Sequence, residues 1–193
     1  MGKVFVDITM SLDGFVAAAG VDPANPLGRD GDRLHDWIFS NPDTTDRMLV
    51  QELFLSTGAF VMGRRTFDVG ERYWGDDGTF HAPCFVLTHR EHPPVVRGPT
   101  TFTFVTEGIV STLEKAQAAS GKKDVCVMGG AEIVQQSLKE GLVDEIRLHI
   151  ANLLLGTGTR LFDGIGPGPL RLLRTRVMSS PLATHFNFRL ADA

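Results

Sequence analysis

The chain has 193 residues, of which 42% are hydrophobic and 22% are charged, and these values are ordinary for a soluble globular protein. Its formal net charge is −4, so it lacks the positive field that recruits nucleic acid or an anionic membrane. No apolar run approaches the ~18 residues of a membrane-spanning helix, and Asp7 comes too early for a signal peptide. We expect a single cytoplasmic domain over residues 1–193, with neither nucleic acid nor a membrane as partner.

The cysteines and histidines do not indicate a metal site. Cys84 and Cys126 lie inside apolar runs, which predicts buried, reduced packing residues and not a disulfide framework. His81, His89 and His92 have spacings from Cys84 that are compatible with zinc. However, Cys84 belongs to an apolar strand and His89 to the loop after it, so a tetrahedral centre would require the strand to fold back. We therefore predict no metal.

Apolar runs and helical spacings alternate along most of the chain. Continuous apolar runs, typical of strands buried on both faces, occur at residues 59–62, 83–87 and 125–128, and residues 4–10 and 101–105 are also strand-like. Helical patterns occur at residues 41–57, 109–119 and 131–141. A loop rich in glycine, proline and aspartate occupies residues 20–31, and a loop of this length is more often functional than idle.

The last third of the chain follows a different pattern. Residues 145–151 and 182–190 alternate apolar and polar side chains, as strands with one solvated face do in antiparallel sheets. The sequence therefore predicts an α/β fold with a mixed central sheet. We expect this sheet to be parallel at its centre, antiparallel at its C-terminal edge and flanked by helices.

A glycine pair follows the apolar run at 125–128 and leads into a predicted helix. Glycine permits a tight turn and lets a ligand approach the backbone closely. The helix N-terminus at Ala131 and Glu132 presents free N–H groups at the positive end of the helix dipole, where phosphate binds readily. Gly129 and Gly130 are therefore candidate phosphate-binding residues, although most such pairs are only turns.

Cationic and hydroxyl side chains follow two other predicted strands. The run at 59–62 ends in Gly63-Arg64-Arg65-Thr66, and the run at 83–87 ends in Thr88-His89-Arg90. In open α/β sheets, ligands bind outside the carboxyl ends of the strands, and guanidinium groups bind phosphate monoesters bidentately. Each segment alone is more often a solvated surface or an ordinary turn. Together with the glycine pair they favour a dinucleotide carrying a 2′-phosphate, which is NADPH and not NADH.

Neither standard nucleotide-binding motif occurs in the chain. No Gly-x-x-x-x-Gly-Lys-Ser/Thr segment is present, and Gly156-Thr157-Gly158 is followed by Leu161 where the dinucleotide fingerprint has its third glycine. These observations argue against a P-loop ATPase and against an ordinary Rossmann domain.

Five motifs in order resemble the dihydrofolate-reductase-like superfamily. They are Ser-Leu-Asp-Gly-Phe at 11–15, Met-Gly-Arg-Arg-Thr-Phe at 62–67, Met-Gly-Gly-Ala at 128–131, Val-Asp-Glu-Ile-Arg-Leu-His-Ile at 143–150, and Leu-Leu-Gly-Thr-Gly-Thr-Arg-Leu-Phe at 154–162. More closely, the chain resembles the C-terminal reductase domain of the riboflavin-biosynthesis deaminase-reductases and its stand-alone bacterial relatives. The similarity spans almost the whole chain.

The resemblance implies a three-layer reductase fold that binds NADPH across its central sheet. The 2′-phosphate side would lie at 63–66 and 88–90, the pyrophosphate at 129–132, and the nicotinamide or substrate near 155–156. The implied cofactor-binding residues are Gly63, Arg64, Arg65, Thr66, Thr88, His89, Arg90, Gly129, Gly130, Ala131, Glu132, Leu155 and Gly156. The candidate substrate-binding residues are Ser11, Gly14, Asp36 and Trp37.

The function implied is hydride transfer from NADPH to a small pterin-, pyrimidine- or carbonyl-type substrate. Asp13 is the candidate catalytic residue, relaying a proton or orienting the substrate, with Asp36 as the alternative if the loop at 20–31 folds inward. The alternative function is a non-catalytic nucleotide- or pterin-binding module of the same fold. A homodimer is expected from the resemblance and from antiparallel edge strands that need covering.

Two features set the chain apart from relatives with known substrates. The zinc-binding His/Cys pattern of the deaminase half does not occur in these residues, so we expect no deaminase step. Dihydrofolate reductases place an acid on their first helix against the pterin. Asp46 is the nearest candidate by count, but Arg47 beside it makes the register doubtful, so we do not predict a folate enzyme.

Overall fold

A nine-stranded mixed sheet forms the centre of the molecule. The computed structural model describes residues 2–22, 24–40 and 42–191. Its strands are β1 (Val4–Ser11), β2 (Phe15–Ala18), β3 (Thr57–Gly63), β4 (Cys84–Leu87), β5 (Val95–Arg97), β6 (Thr100–Val105), β7 (Asp124–Val127), β8 (Glu145–Ala151), β9 (Gly158–Arg160), β10 (Leu172–Ser179) and β11 (Ala183–Leu190). The strand order in the large sheet is β10-β11-β8-β1-β7-β3-β4-β6-β5.

Five α-helices accompany the sheet within the described residues. They are α1 (Asp36–Phe39), α2 (Thr44–Ser56), α3 (Arg64–Gly70), α4 (Gly108–Ala119) and α5 (Ala131–Lys139). Helix α2 starts with a capping box in which Asp43 and Asp46 each accept a hydrogen bond from the other's backbone N–H. The predicted helix start at 41–43 is thus realised at Asp43, and Asn41 lies outside the described residues. No helix in the described ranges is long and apolar enough to cross a membrane.

The pairing of the strands confirms the predicted mixed sheet. The six central strands, from β8 through β1, β7, β3 and β4 to β6, are parallel to one another. Strands β11 and β10 add antiparallel at the C-terminal edge, and β5 adds antiparallel at the other edge. The alternating strand β8 is where the sheet changes direction, because it runs parallel to β1 and antiparallel to β11. The parallel arrangement brings the carboxyl ends of six strands to one edge.

Two apolar clusters cover opposite faces of the sheet. Side chains alternate across a strand, so Val4, Val6 and Ile8 of β1 face one cluster with α4 and α5, while Phe5 faces the other. The second cluster is rich in aromatic rings, and Phe67 brings α3 into it. This arrangement gives the three layers implied by the resemblance.

Both cysteines pack as predicted. Cys84 and Cys126 are free thiols, each fully buried in the aromatic cluster. Burial raises the pKa of both thiols, so they remain protonated and unreactive at neutral pH.

A polar layer replaces the aromatic cluster where β1, β8 and β11 meet. Thr9, His149 and His185 are buried there, on the face covered by α1 and α2. The helices contribute Trp37 and Asp46, which are also buried. Buried polar groups are costly unless they are hydrogen-bonded, and each of these five side chains has a hydrogen-bond partner.

A small second sheet fixes the chain after β1. Strands β2 and β9 pair antiparallel. This pairing places the chain that follows the turn at 11–14 beside residues 158–160. The Gly14 carbonyl accepts a hydrogen bond from the Leu161 N–H at 3.1 Å. Neither short strand was predicted, because three or four residues carry too little periodicity.

We predict that His35 makes the fold sensitive to acid. This histidine ends the 3₁₀ turn Gly31–His35, and burial, reinforced by the nearby His149, lowers its pKa from 6.5 to about 4. The unfolded chain therefore binds the proton more readily, so the free energy of unfolding falls as the pH falls from 6.5 towards 4. Gln does not titrate. Between about pH 7 and pH 5, the free energy of unfolding of His35→Gln should therefore fall by about 1–2 kcal/mol less than that of the wild-type protein.

Urea denaturation at the two pH values measures this loss. The control is His81→Asn, which changes an exposed imidazole paired with Asp77 and should leave the wild-type pH dependence in place. An unchanged pH dependence in His35→Gln would contradict the assignment of a neutral, half-buried His35.

Candidate active site

The glycine turn after β7 lies against the end of β3. The Gly63 N–H donates to the Gly129 carbonyl at 2.9 Å, which ties the two strand ends together. The peptide bond between Gly129 and Gly130 is cis. Gly129 has φ +110, a region that residues with a side chain rarely adopt, and a Cβ there would lie 3.4 Å from Ile8 Cδ1. Glycine is therefore required at this position by its backbone conformation, while the space beside Ile8 would admit a Cβ.

The N-terminus of α5 opens directly from this turn. Gly130 is its N-cap and offers no side-chain acceptor. Within the described part of the chain, the N–H groups of Ala131 and Glu132 form no hydrogen bond. The Thr66 hydroxyl lies beside the turn, 3.8 Å from the position of a Cβ on Gly130. Free N–H donors, a hydroxyl and the positive end of the helix dipole suit a phosphate group.

The two arginines at the start of α3 diverge. Arg64 Nε donates to Asp68 Oδ1 at 2.7 Å, and its guanidinium carbon lies 5.4 Å from the centre of the Phe104 ring on β6. Arg65 instead lines a cleft beneath the loop after β2, together with Val21 and Asp22. Although they are consecutive, Arg64 points towards β6 and Arg65 points towards the loop after β2.

Two clefts lie at this edge of the sheet. The outer cleft, of about 460 Å³, lies past the ends of β4 and β6 and is lined in part by His92, Phe104 and Thr106. The inner cleft, of about 390 Å³, lies between the loop after β2 and α3 and is lined in part by Arg65 and Arg72. Of the two arginines, Arg65 lines the inner cleft, whereas the Arg64 guanidinium lies beside the ring of Phe104, a residue that lines the outer one.

The turn after β4 contains one buried residue, Thr88, followed by two exposed basic side chains, His89 and Arg90. Thr88 is buried, its N–H donates to the Val105 carbonyl at 3.0 Å, and its hydroxyl accepts from the Arg90 N–H at 3.2 Å. His89 and Arg90 are exposed. Thr88 therefore shapes the turn, while the side chains of His89 and Arg90 are free to meet a ligand.

Asp13 joins the turn after β1 to the segment that follows β8. Its carboxylate accepts from Ser11 Oγ at 2.6 Å, from the Leu155 N–H at 3.1 Å and from the Gly156 N–H at 2.7 Å. Gly14 closes the turn with φ +90 and donates its N–H to the Ser11 carbonyl at 3.0 Å. The Ser11 bond and then the backbone bonds lower the pKa of Asp13 to about 2. Asp13 is thus an ionised acceptor that holds Leu155 and Gly156 in place.

Arg160 is a candidate site residue that we did not single out from the sequence. Its guanidinium donates to the Asp13 carbonyl at 3.3 Å and lies over the Phe15 ring, with the guanidinium carbon 4.5 Å from the ring centre. Gln135 of α5 holds the backbone here by donating to the carbonyls of Arg160 and Leu161 at 3.1 and 3.0 Å. Arg160 lies in a recognised motif, but only the β2–β9 pairing brings it to the turn.

Asp36 and Trp37 are adjacent in sequence but point to different environments. Asp36 Oδ1 accepts from Ser40 Oγ at 2.7 Å, and its side chain is 38% exposed. The Trp37 ring is only 3% exposed, and its Nε1–H donates to Thr9 Oγ1 at 3.1 Å. The fold therefore brings Trp37 onto the sheet and leaves Asp36 near solvent.

Comparison with known proteins gives the relatives of this chain. The model of the RibD C-terminal domain family matches residues 2–183. An uncharacterized protein of Bacillus subtilis (strain 168), YyaP, is 26% identical over 186 residues, which are 92% of this chain and 90% of YyaP.

Solved structures share the fold along nearly the whole chain. A putative riboflavin biosynthesis protein from Shewanella sp. PV-4 has 25% identity and a TM-score of 0.76, covering 98% of this chain and 99% of that one. A diaminohydroxyphosphoribosylaminopyrimidine deaminase/5-amino-6-(5-phosphoribosylamino)uracil reductase from Thermotoga maritima has 15% identity and a TM-score of 0.66, covering 98% of this chain and 57% of that one. These matches confirm the resemblance found in the motifs. The chain belongs to the RibD C-terminal domain family.

Proposed function

We propose that the protein is an NADPH-dependent reductase that transfers a hydride to a small substrate of pyrimidine, pterin or carbonyl type. The observation that carries this proposal is the convergence of the glycine turn, the open N-terminus of α5 and Arg64 at one edge of the sheet. Membership of the RibD C-terminal domain family supports a reductase. The uracil reductase activity in the name of the Thermotoga maritima relative favours a pyrimidine within these three classes.

The cofactor fits the site in three parts. The N–H groups of Ala131 and Glu132 would bind the pyrophosphate, with the Thr66 hydroxyl beside it. Arg64, His89 and Arg90 would bind the 2′-phosphate near the outer cleft. The nicotinamide would then lie towards the turn after β1 and the Leu155–Gly156 backbone. When bound, NADPH supplies the hydride, and the task of these residues is to hold it beside the substrate and to exclude water.

In this proposal Asp13 orients the site and does not donate the proton. A general acid works best with a pKa near the operating pH, whereas the hydrogen bonds of Asp13 hold its pKa at about 2. Its carboxylate fixes the backbone N–H groups of Leu155 and Gly156, which would border the nicotinamide or the substrate. Asp36, the alternative acid, accepts a hydrogen bond from the Ser40 hydroxyl, which directly follows α1.

We further propose a cytoplasmic homodimer in which residues 1–193 act as one domain. The continuous sheet from β10 to β5 supports one domain. The edge strand β10 exposes Leu172, Leu173 and Val177 by 41–47%, and an exposed apolar edge strand favours association with another chain.

The direct test of function is to titrate NADPH into the protein, follow nicotinamide fluorescence, and then measure NADPH oxidation with a panel of pyrimidines, pterins and carbonyl compounds. The proposal expects binding at tens of micromolar or tighter and oxidation with at least one member of the panel. Stoichiometric binding without oxidation across the panel would favour the non-catalytic binding module. No NADPH binding would contradict the reductase and would leave only a module that binds another ligand, such as a pterin.

We predict that Arg64→Ala lowers the affinity for NADPH about 10- to 100-fold and leaves the affinity for NADH nearly unchanged. Hydrogen bonds to charged groups contribute about 1.5–3 kcal/mol, and only NADPH carries the 2′-phosphate. Fluorescence titration of both nucleotides measures the two affinities.

The neighbouring variant Arg65→Ala is the matched control. Arg65 faces the inner cleft, so its removal should weaken NADPH and NADH by similar factors. An equal loss of the two affinities in Arg64→Ala would place Arg64 away from the 2′-phosphate.

We also predict that Asp13→Asn releases the segment after β8. The amide oxygen is a weaker acceptor than the carboxylate and replaces only one of its two oxygens. Amide hydrogen exchange at Leu155 and Gly156 should become about tenfold faster or more, while Asp163→Asn, which changes an acid outside this network, should not affect these amides. Protection that is unchanged in Asp13→Asn would show that other contacts hold the segment.

A further inference from the structure

Four ionisable side chains form a continuous hydrogen-bonded line through the polar layer. Asp7 Oδ1 of β1 lies 3.2 Å from His149 Nε2 of β8. His149 Nδ1 lies 2.8 Å from His185 Nδ1 of β11, and His185 Nε2 lies 3.1 Å from Asp46 Oδ1 of α2. We call these residues the Asp–His–His–Asp line. It crosses from the sheet to the first turn of α2.

The line is buried at one end and accessible at the other. The side chains of His185 and Asp46 are 1% and 2% exposed, that of His149 is 6% exposed, and that of Asp7 is 15% exposed. Trp37 covers the line, with its ring centre 4.5 Å from that of His149 and 4.9 Å from that of His185. Exchange of protons with solvent or with a ligand is therefore most direct at Asp7.

The remaining ionisable groups around the line are few. His35 precedes α1, Asp43 caps α2, Cys126 lies on β7 beside Asp7, and Arg147 precedes His149 by two positions on β8. Arg147 lies over the Phe5 ring, with the guanidinium carbon 3.7 Å from the ring centre. Burial and then His149 lower the pKa of both His185 and His35, which keeps these two imidazoles neutral.

The geometry fixes how many protons the line holds. It contains three contacts, and a contact between two lone pairs is repulsive, so each contact needs one proton. Two neutral imidazoles bring only two protons. The line therefore needs one proton more, and the contact between the two Nδ1 atoms must contain a proton in every satisfied arrangement. The additional proton satisfies all contacts equally whether it resides on His149 Nε2 or on Asp7.

Asp7 lies at the level of the glycine turn. Phe5 pairs in register with Cys126, and both belong to the aromatic cluster, so Asp7 and Met128 are the next residues on that same face. Met128 immediately precedes Gly129, and the side chain of Ile8, which follows Asp7, approaches Gly129 from the other face. The accessible end of the line is thus beside the turn at which the cofactor would bind.

We propose that the Asp–His–His–Asp line is a buried store of one shared proton, and that Asp7 delivers this proton to the substrate during reduction. The delivery rests on the proposed reductase function, whereas the store does not. Asp7 would be the catalytic group, and His149, His185 and Asp46 would be positioning residues that act through it.

The step balances with one proton for each hydride. NADPH would supply the hydride and be oxidised to NADP⁺. The carbon of a C=O or C=N group receives that hydride, the π bond of the group breaks, and its oxygen or nitrogen forms a new bond to the proton held by Asp7. The His149 Nε2–H bond breaks as that proton passes to the Asp7 carboxylate and on to the substrate. The line is then one proton short, and Asp7 takes one from solvent.

Nitrogen-15 NMR of the ligand-free protein, with labelled histidine, tests the store. We expect a proton shared between the Nδ1 atoms of His149 and His185, well downfield of ordinary imidazole protons, at neutral pH. Asp46→Asn should shift or abolish this resonance. The control Asp77→Asn, which removes an exposed partner of His81, should leave it unchanged. If Asp46→Asn does not fold, the wild-type spectrum still decides, because the absence of a proton between the two Nδ1 atoms overturns the store.

Asp7→Asn tests delivery, since an amide cannot carry the proton. In the ligand-free protein, exchange of the His149 ring proton with water should slow about tenfold or more. With a compound that the wild-type protein reduces, kcat should fall about 100-fold or more, while the affinity for NADPH stays within twofold. Unchanged exchange and an unchanged kcat overturn the role of Asp7. If the wild-type protein does not bind NADPH, the proposed function is refuted, and proton delivery by Asp7 with it. The NMR result for the proton store is independent of that outcome.

Discussion

The hydrogen bond from the Gly63 N–H to the Gly129 carbonyl joins the two strand ends on which the candidate active site depends. It sets the start of α3 beside the start of α5, so the side chains of one helix and the free N–H groups of the other serve the same space. Parallel pairing of six strands supplies the frame, because it brings every carboxyl end to one edge of the sheet. The net charge of the chain is negative, so an anionic cofactor would be held by this local geometry and not by the overall field.

The two faces of β1 serve different purposes near this edge. One face supplies Val4, Val6 and Ile8 to an apolar cluster that stabilises the sheet. The other begins with Phe5 and continues with Asp7 and Thr9, where the polar layer starts. Replacing a buried pair of charged groups by well-packed apolar side chains is often neutral or stabilising, so a layer of this kind contributes little to stability that an apolar core could not provide. A role in proton transfer, as proposed above, explains the geometry of this layer better than a role in stability, because the accessible carboxylate of Asp7 lies beside the glycine turn.

The sequence predicted the parallel centre, the antiparallel edge and the strand-end motifs because these depend on local periodicity and on glycine. It did not predict that Arg64 lies against the Phe104 ring while Arg65 lines the inner cleft, since that follows from the direction of each side chain on α3. It likewise could not reveal the Asp–His–His–Asp line, whose members come from four separate elements and meet only through the register of β1, β8 and β11. His149 and His185 looked like the polar positions of alternating strands. Asp46, considered only for a pterin contact, is both a member of the capping box of α2 and the buried end of that line.

The central claim is that NADPH binds with its pyrophosphate at the N-terminus of α5. The most direct measurement is an amide chemical-shift titration of the protein with NADPH. The account predicts that the largest shifts occur at Gly130, Ala131 and Glu132, with smaller shifts at Gly156 and none along β10. Saturable binding whose shifts leave the amides at 130–132 unchanged would contradict it.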